Sequence, residues 1–244
     1  MNNLSTSERI EKATREVPLL TAEQKQGLLY VDSQPITRDR AVAVSELVGV
    51  LSGIKPAALM NKPSINVEDI ESVGLKHIAL GNRFYGVSRD DEINKYISEV
   101  YSADRTEDGY LTEDSNRSFG TLLGYPETAI DYFLARTSTV DSSDVLPIVK
   151  TRRLQGTVGE FLHLFILSPE HYEREIEEYI APLEAAIKSL TPNTYLYMQE
   201  QALRDSELMQ KQDVVYKKIG EQIRYVITPS RTPEEPDKSI LLVD

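Results

Sequence analysis

The sequence predicts a mainly α-helical fold, with many helices in orthogonal or bundle-like packing and a minor β or irregular element. Apolar residues recur at helical spacing through most of the 244-residue chain. Helix-capping residues precede many of these segments, and glycine or proline follows several of them. A content of 40% hydrophobic and 27% charged residues is typical of a globular protein rather than a disordered one.

Short helices are predicted for the first third of the chain. Thr21 precedes Gln24 by three residues, a spacing that predicts a capping box at the start of a helix. Apolar residues at helical spacing predict a further helix that ends before Gly53 and Pro56. The capping residues expected for the helices of this third are Ser7, Thr21, Thr37 and Asn66.

The segment 74–88 is the least helical part of the first half, and a short hairpin and an irregular loop both fit its sequence. A helix is expected to begin again at Asp90. After a polar loop at 104–114, Ser115 is expected to cap a helix that ends near Gly124.

A stretch rich in Ser, Thr and Asp at 137–144 is the candidate boundary between two helical regions. The N-terminal region covers 1–136 and the C-terminal region covers 145–227, and the two are expected to pack as one unit. Three prolines within 228–244 predict an irregular, proline-rich tail.

The segment 145–167 leaves two interpretations open, because its short apolar run fits one or two strands as well as a buried helix from Gly159. From Ser168, which is followed by proline and glutamate, the pattern is strongly helical. A kink is expected at Pro182. Thr191 and the proline after it predict the start of another long helix.

Charge and residue usage exclude several classes of function. The 27 basic and 39 acidic residues give a net charge of -12, which argues against a general nucleic-acid-binding face. The absence of cysteine excludes disulfides, cysteine-ligated metals and thiolate nucleophiles. The longest apolar run, 161–167, is far shorter than the ~20 residues of a membrane-spanning helix. No membrane partner is expected, and a cytoplasmic location is predicted because the N-terminal sequence lacks the pattern of a secretory signal.

The sharpest local pattern is a helix corner in which Gly124 ends one helix and Pro126 begins the next. The N–H groups of Thr128 and Ala129 at the start of the second helix could hold an anion, although the pattern favours a well-formed corner without a ligand. Two arginines beside glycines further along the chain could also hold an anion. The candidate ligand-binding residues are Tyr125, Glu127, Arg152, Arg153 and His171.

The run from Leu123 to Glu127 resembles the Leu-Gly-Tyr-Pro-Glu-Cys-Cys motif of an uncharacterised prokaryotic family. In that family a second segment of the form His-x-Pro-Cys-Ser-x-x-Cys opens a helix downstream, and 164–171 stands in the corresponding place. Thr128 and Ala129 stand where the paired cysteines would be, and Leu167 and His171 replace the other two. The resemblance therefore implies a shared helical fold and corner, and it implies no reaction.

The acidic loop suggests a second kind of site. Asp104 and Asp108 stand at the first and fifth positions of a calcium-loop pattern, but Thr106 at the third is a poor ligand. Ser115 at the twelfth position lacks the bidentate carboxylate that such loops need. No cofactor is predicted, and a calcium ion held by Asp104 and Asp108 is kept as an alternative to a solvated acidic loop.

These observations favour a soluble helical binding or assembly protein that is not a catalyst, with a protein partner or self-association. The alternative is an enzyme or small-anion-binding protein with its site at the corner 124–127. A divalent-cation-binding protein that uses the acidic loop 104–114 is the second alternative. Whether the protein is an enzyme is left open, since no catalytic motif with recognisable spacing occurs.

Overall fold

A computed structural model describes residues 8, 10, 19–102, 112–138, 154, 156–162, 167, 168 and 170–208. Residues 1–203 form one compact unit and residues 204–244 form another. The described part is mainly helical with a small antiparallel sheet, so the prediction of a mainly α fold with a minor β element is confirmed.

The helices of the first half begin at the polar residues that were expected to cap them. Side chains of these residues accept hydrogen bonds from the first-turn backbone, and Thr21 and Asn66 form complete capping boxes. The caps are Thr21, Thr37, Asn66 and Asp90, and they precede α1 (Ala22–Ser33), α2 (Arg38–Leu51), α3 (Val67–Ser72) and α4 (Asp91–Tyr101).

The sheet consists of β1 (Ala57–Asn61), β2 (Lys76–Leu80) and β3 (Phe84–Ser88), and β3 lies in the centre. The two strands β2 and β3 form the hairpin that was one of two expectations for 74–88. The strand β1 was not predicted. It pairs antiparallel with β3, with Ala57 opposite Ser88.

The predicted helix corner joins α5 (Glu113–Leu122) to α6 (Glu127–Ser138). The expectation that Ser115 caps α5 is wrong by one turn, because Thr112 is the cap and its hydroxyl accepts from the Ser115 N–H at 3.3 Å. Both residues carry a short hydroxyl side chain, so local sequence does not distinguish them.

The described second half contains α7 (Gly159–Leu162), α8 (Tyr172–Glu175), a π-helical turn (Ile176–Ile180), α9 (Ala181–Leu190) and helical backbone over 192–208. The start expected at Ser168 is wrong, since α8 begins after His171 and the Ser168 N–H donates to a buried carboxylate instead. Of the two interpretations for 145–167, the described residues contain the short helix from Gly159.

The helix at 192–208 is capped by a residue from the other end of the sequence. Asp32, in the last turn of α1, is 2% exposed. Its carboxylate accepts from the N–H groups of Asn193 and Thr194 at 3.0 and 2.8 Å, and from the Thr194 hydroxyl at 2.7 Å. A carboxylate at this position satisfies first-turn N–H groups and complements the helix dipole. This contact joins α1 to the second half of the fold.

The main apolar core lies between α2 and α9, and a smaller one lies between α4 and the sheet. Expectations that fall outside the described residues are the linker 137–144 beyond Ser138, the C-terminal region at 209–227 and the tail 228–244. Most of the helix after Ser7 is also outside them. In the described helices there is no segment long and apolar enough to cross a membrane.

Candidate functional site

The corner between α5 and α6 packs on the turn that follows α2. Gly124 ends α5 with φ of +72°, a left-handed conformation that favours glycine. The N–H groups of Gly124 and Tyr125 donate to carbonyls in the last turn of α5 at 3.0 and 2.9 Å. A Cβ at position 124 would lie 3.1 Å from both Lys55 Cα and Pro56 Cδ. Only glycine therefore allows this close approach without a shift of the neighbouring backbone.

An ammonium and a carboxylate are buried together at this corner. The side chain of Lys55 is 0% exposed and that of Glu46, on α2, is 4% exposed. Both Glu46 oxygens accept hydrogen bonds from Lys55 Nζ. Gly49 makes room for the lysine stem, because a Cβ there would lie 2.7 Å from Lys55 Cδ. Buried charges of this kind persist only when they are paired, since desolvation of each ion is costly.

Two tyrosine rings lie close to the same ammonium. Lys55 Nζ is 5.7 Å from the centroid of the Tyr125 ring and 6.0 Å from that of the Tyr179 ring. The two rings meet edge to face at 6.4 Å. Burial raises the pKa of both phenols; the Lys55 ammonium partly opposes this for Tyr125, and the Glu46 carboxylate raises the pKa of both. The rings are therefore neutral at physiological pH, and the ammonium has one carboxylate and two π systems as partners.

The chain supplies its own carboxylate near the start of α6. Glu175, which is 1% exposed, accepts from the Thr128 hydroxyl at 2.6 Å and from the Ser168 N–H at 2.8 Å. Thr128 is the second residue of α6, so this negative charge lies near the positive end of the helix dipole. An anion predicted for the Thr128 region thus has an internal counterpart in Glu175.

An open pocket of about 350 Å³ lies beside the corner. Its walls come from four places: the end of α2, the α5–α6 corner, the π-helical turn and the start of α9. Glu178 and Tyr179 contribute the acidic and aromatic parts of the lining, and Ser52 contributes a hydroxyl. Tyr179 also lies beside the Lys55 ammonium, so this one residue borders both the pocket and the buried ion pair.

Glu178 and Tyr179 are neighbours in the π-helical turn, and their side chains differ in exposure. Tyr179 is 4% exposed, whereas the Glu178 side chain next to it is 63% exposed. Pro182 cannot donate a hydrogen bond to the carbonyl four residues earlier, and its ring would clash with that carbonyl in a regular helix. The wider turn before it relieves this conflict, and such turns are frequent at functional sites.

Three of the residues that the sequence predicted for a ligand site lie in the described part of the chain, and none of them lines the pocket. Tyr125 lies against the buried ion pair, whereas Glu127 and His171 are exposed and do not line the pocket. Arg152 and Arg153 lie outside the described residues, as do Asp104 and Asp108.

Sequence reasoning missed Lys55, Glu46, Glu175 and Glu178. Tyr179, which is 4% exposed, was likewise not among the predicted ligand-binding residues. Lys55 stands between Ile54 and Pro56 in a turn that contains Gly53, a place where an exposed lysine is the ordinary expectation. No sequence signal available for a single chain marks such a lysine as buried.

A second pocket of about 400 Å³ lies at the edge of the sheet and is lined in part by Glu71, His77 and Asp91. His77 Nδ1 is 4.0 Å from Glu71 Oε1, and the His77 ring meets the Tyr85 ring edge to face at 5.7 Å. Among the described residues, no group of three or more acidic or histidine side chains is arranged to hold a metal ion. Glu71, His77 and Asp91 therefore line the same pocket but are not arranged as a metal site.

No protein-family model, curated protein or solved structure matches this chain.

Proposed function

We propose that this protein is a non-catalytic binding or assembly protein that associates with a second copy of itself. The observation that carries this proposal is a pair of leucines on the outer face of the helix at 192–208. Leu196 is 54% exposed and Leu203 is 53% exposed. They are seven residues apart, a spacing that brings both to one side of a helix.

The opposite face of the same helix is already occupied by the core. Thr194, Met198 and Ala202 are each 0% exposed, and helical spacing places them on a different face from the two leucines. About half of each outer leucine is therefore exposed on the side of the helix away from this core. Burial of the exposed half of each leucine contributes on the order of 1 kcal/mol.

Four such leucines in a symmetric dimer contribute about 4 kcal/mol of favourable burial, and the loss of translational and rotational freedom on association offsets much of it. The net charge of -12 on each copy opposes association, and salt screens this repulsion. We therefore expect weak self-association that becomes stronger as the protein concentration and the ionic strength rise.

Analytical ultracentrifugation of the full chain tests this expectation. The weight-average mass should rise above the 27.6 kDa of a monomer as the protein concentration increases, and it should rise more at high salt. The double variant Leu196→Gln/Leu203→Gln should remain monomeric. Leu19→Gln is the matched control, because Leu19 is 98% exposed and lies outside this helix. A constant monomer mass for the unmodified chain, or equal effects of the two sets of substitutions, would contradict the proposal.

A second candidate function, ligand binding at the corner, is favoured by the pocket that adjoins Gly124 and Tyr179. Thermal denaturation in the presence of small charged and neutral compounds tests it, since a ligand that binds only the folded state raises the melting temperature. Bundle-like packing, a cytoplasmic location and a corner shared with the Leu-Gly-Tyr-Pro-Glu family are part of the same proposal.

A further inference from the structure

We propose that the pocket beside the corner binds an organic cation, an ammonium or guanidinium group, between Glu178 and Tyr179. Both residues line this pocket of about 350 Å³. The proposal goes beyond self-association and does not depend on it, since the leucines at 196 and 203 do not line the pocket.

Two helices end at this pocket with their carbonyl termini. The last residue of α2 is Leu51, and Ser52 and Gly53 directly after it line the pocket. The last residue of α5 is Leu122, and Gly124 lines the pocket two residues later. Most carbonyl groups in the last turns of both helices accept hydrogen bonds from the residues that follow. The aligned peptide dipoles still give each C-terminus a partial negative charge, which favours cations within about one turn.

The positive end of α6 also lies at the corner, but a carboxylate already offsets it. Thr128 in its first turn donates to the buried Glu175 side chain at 2.6 Å. The partial charges of the helix termini near the pocket therefore add up to a net negative charge. This argument favours a cation over the anion that the sequence suggested for the corner.

Glu178 adds a full negative charge that a ligand can reach. Its side chain is 63% exposed and bonds to Arg174 Nε at 3.2 Å, within a pair whose arginine is 62% exposed. An exposed pair on adjacent helical turns is weak, so an incoming ammonium competes with Arg174 for the carboxylate. The ring of Tyr179 supplies an aromatic wall, and aromatic rings attract cations electrostatically.

The buried lysine shows that this aromatic environment accommodates an ammonium. Lys55 Nζ lies 6.0 Å from the Tyr179 centroid, and Glu46 neutralises its charge. The lysine therefore adds no net positive charge that would repel a cationic ligand. The net charge of -12 on the whole chain also raises the local concentration of cations.

The same chemical group reaches such a pocket from two sources. One is a free small amine, and the other is a lysine or arginine side chain of another protein. Both present a cation on an aliphatic stem, which matches a pocket whose lining includes one carboxylate, one tyrosine and two prolines, Pro126 and Pro182.

The test is a titration of the full, isotope-labelled chain with n-butylammonium, followed by the amide NMR signals of Gly53 and Gly124 at constant ionic strength. Butyrate and butanol serve as ligands of similar size with negative and zero charge. We expect saturable shifts with butylammonium that exceed those with both other compounds. Glu178→Gln should weaken binding about tenfold through loss of one charge-assisted contact.

Glu177→Gln is the matched control, because Glu177 is exposed in the same π-helical turn and does not line the pocket. It should leave the affinity within about twofold, since a change in total charge alone has a small, screened effect. Absence of saturable shifts, binding of butyrate as tight as that of butylammonium, or equal effects of the two variants would overturn the proposal.

The source of the cation is decided in a second arm of the same experiment. A short lysine-containing peptide is compared with the peptide in which norleucine replaces lysine. Tighter binding of the lysine peptide than of butylammonium identifies a protein partner, and equal binding identifies a small amine. Equal binding of the lysine and norleucine peptides would contradict a site for a cation.

Discussion

The buried ion pair at the helix corner makes a strong prediction about stability. Lys55→Met removes the ammonium but keeps an unbranched apolar stem, so Glu46 is left buried with its charge uncompensated. Removal of one partner of a buried pair costs about 3–5 kcal/mol. Since domains are typically stable by about 5–15 kcal/mol, the variant should lose a large part of its free energy of unfolding.

Replacement of both partners should behave differently. In Lys55→Met/Glu46→Met no charge remains, and the thioethers can pack against the rings of Tyr125 and Tyr179. The free energy of unfolding should then lie within about 1 kcal/mol of the unmodified protein, because a buried pair and an apolar pair of similar volume are nearly equivalent. The resulting coupling energy is roughly 3 kcal/mol or more.

Urea denaturation followed by circular dichroism measures these differences, provided that the dependence on urea concentration is unchanged among the variants. Lys188→Met is a matched control, because Lys188 is exposed and lies 5.5 Å from the Tyr195 ring. The Lys188→Met substitution should lower the free energy of unfolding by no more than about 1 kcal/mol. The reasoning is refuted if Lys55→Met lowers the free energy of unfolding as little as this control does. It is also refuted if the loss in the double variant equals the sum of the losses in Lys55→Met and Glu46→Met.

Three further predictions concern the corner and the long-range cap. Gly124→Ala should be at least about 1 kcal/mol more destabilising than Gly81→Ala, because both positions have positive φ but a Cβ meets backbone only at Gly124, and urea denaturation measures the difference. Asp32→Ala should cost about 1–3 kcal/mol through the loss of its bonds to the buried Thr194 N–H and to the Asn193 N–H next to it. Asp32→Asn should cost less, because its amide oxygen still accepts a hydrogen bond, and equal losses would contradict a role for the acceptor oxygen. Burial raises the pKa of Tyr125 and Tyr179, so stability should fall as pH rises above ~10, where the unfolded phenols ionise and the folded ones do not. Ultraviolet absorbance should show a smaller change near that pH for the folded chain than for the chain in urea, and Tyr125→Phe should leave the folded change nearly unaltered.

The helix starts of the first half could be predicted because capping is local chemistry. Thr21 and Asn66 bond to backbone three residues away, so the contact is written within four consecutive residues. The same reason explains the misplaced cap of α5, where Thr112 and Ser115 offer equivalent hydroxyls one turn apart. Local patterns therefore identify a helix more securely than its first residue.

The strand β1 could not be predicted from its own residues. Its sequence, Ala-Ala-Leu-Met-Asn, consists largely of good helix formers, and it is extended because it pairs with β3 from Ala57 to Asn61. The hairpin of β2 and β3 needs only a short connection, and Gly81 takes up the positive φ in it. A pairing between distant segments has no comparable local marker.

The candidate site also has features that follow from the local sequence and features that depend on distant contacts. The sequence by itself determined a helical chain without cysteine, a net charge of -12 and a tight corner at Gly124, since each follows from residue type and near neighbours. Only the tertiary structure decided that Lys55 is buried against Glu46, that Glu175 lies near the start of α6, and that Glu178 borders a pocket. Burial and charge pairing depend on which distant segments meet, and the free energy of a charge is set by those neighbours rather than by its place in the chain.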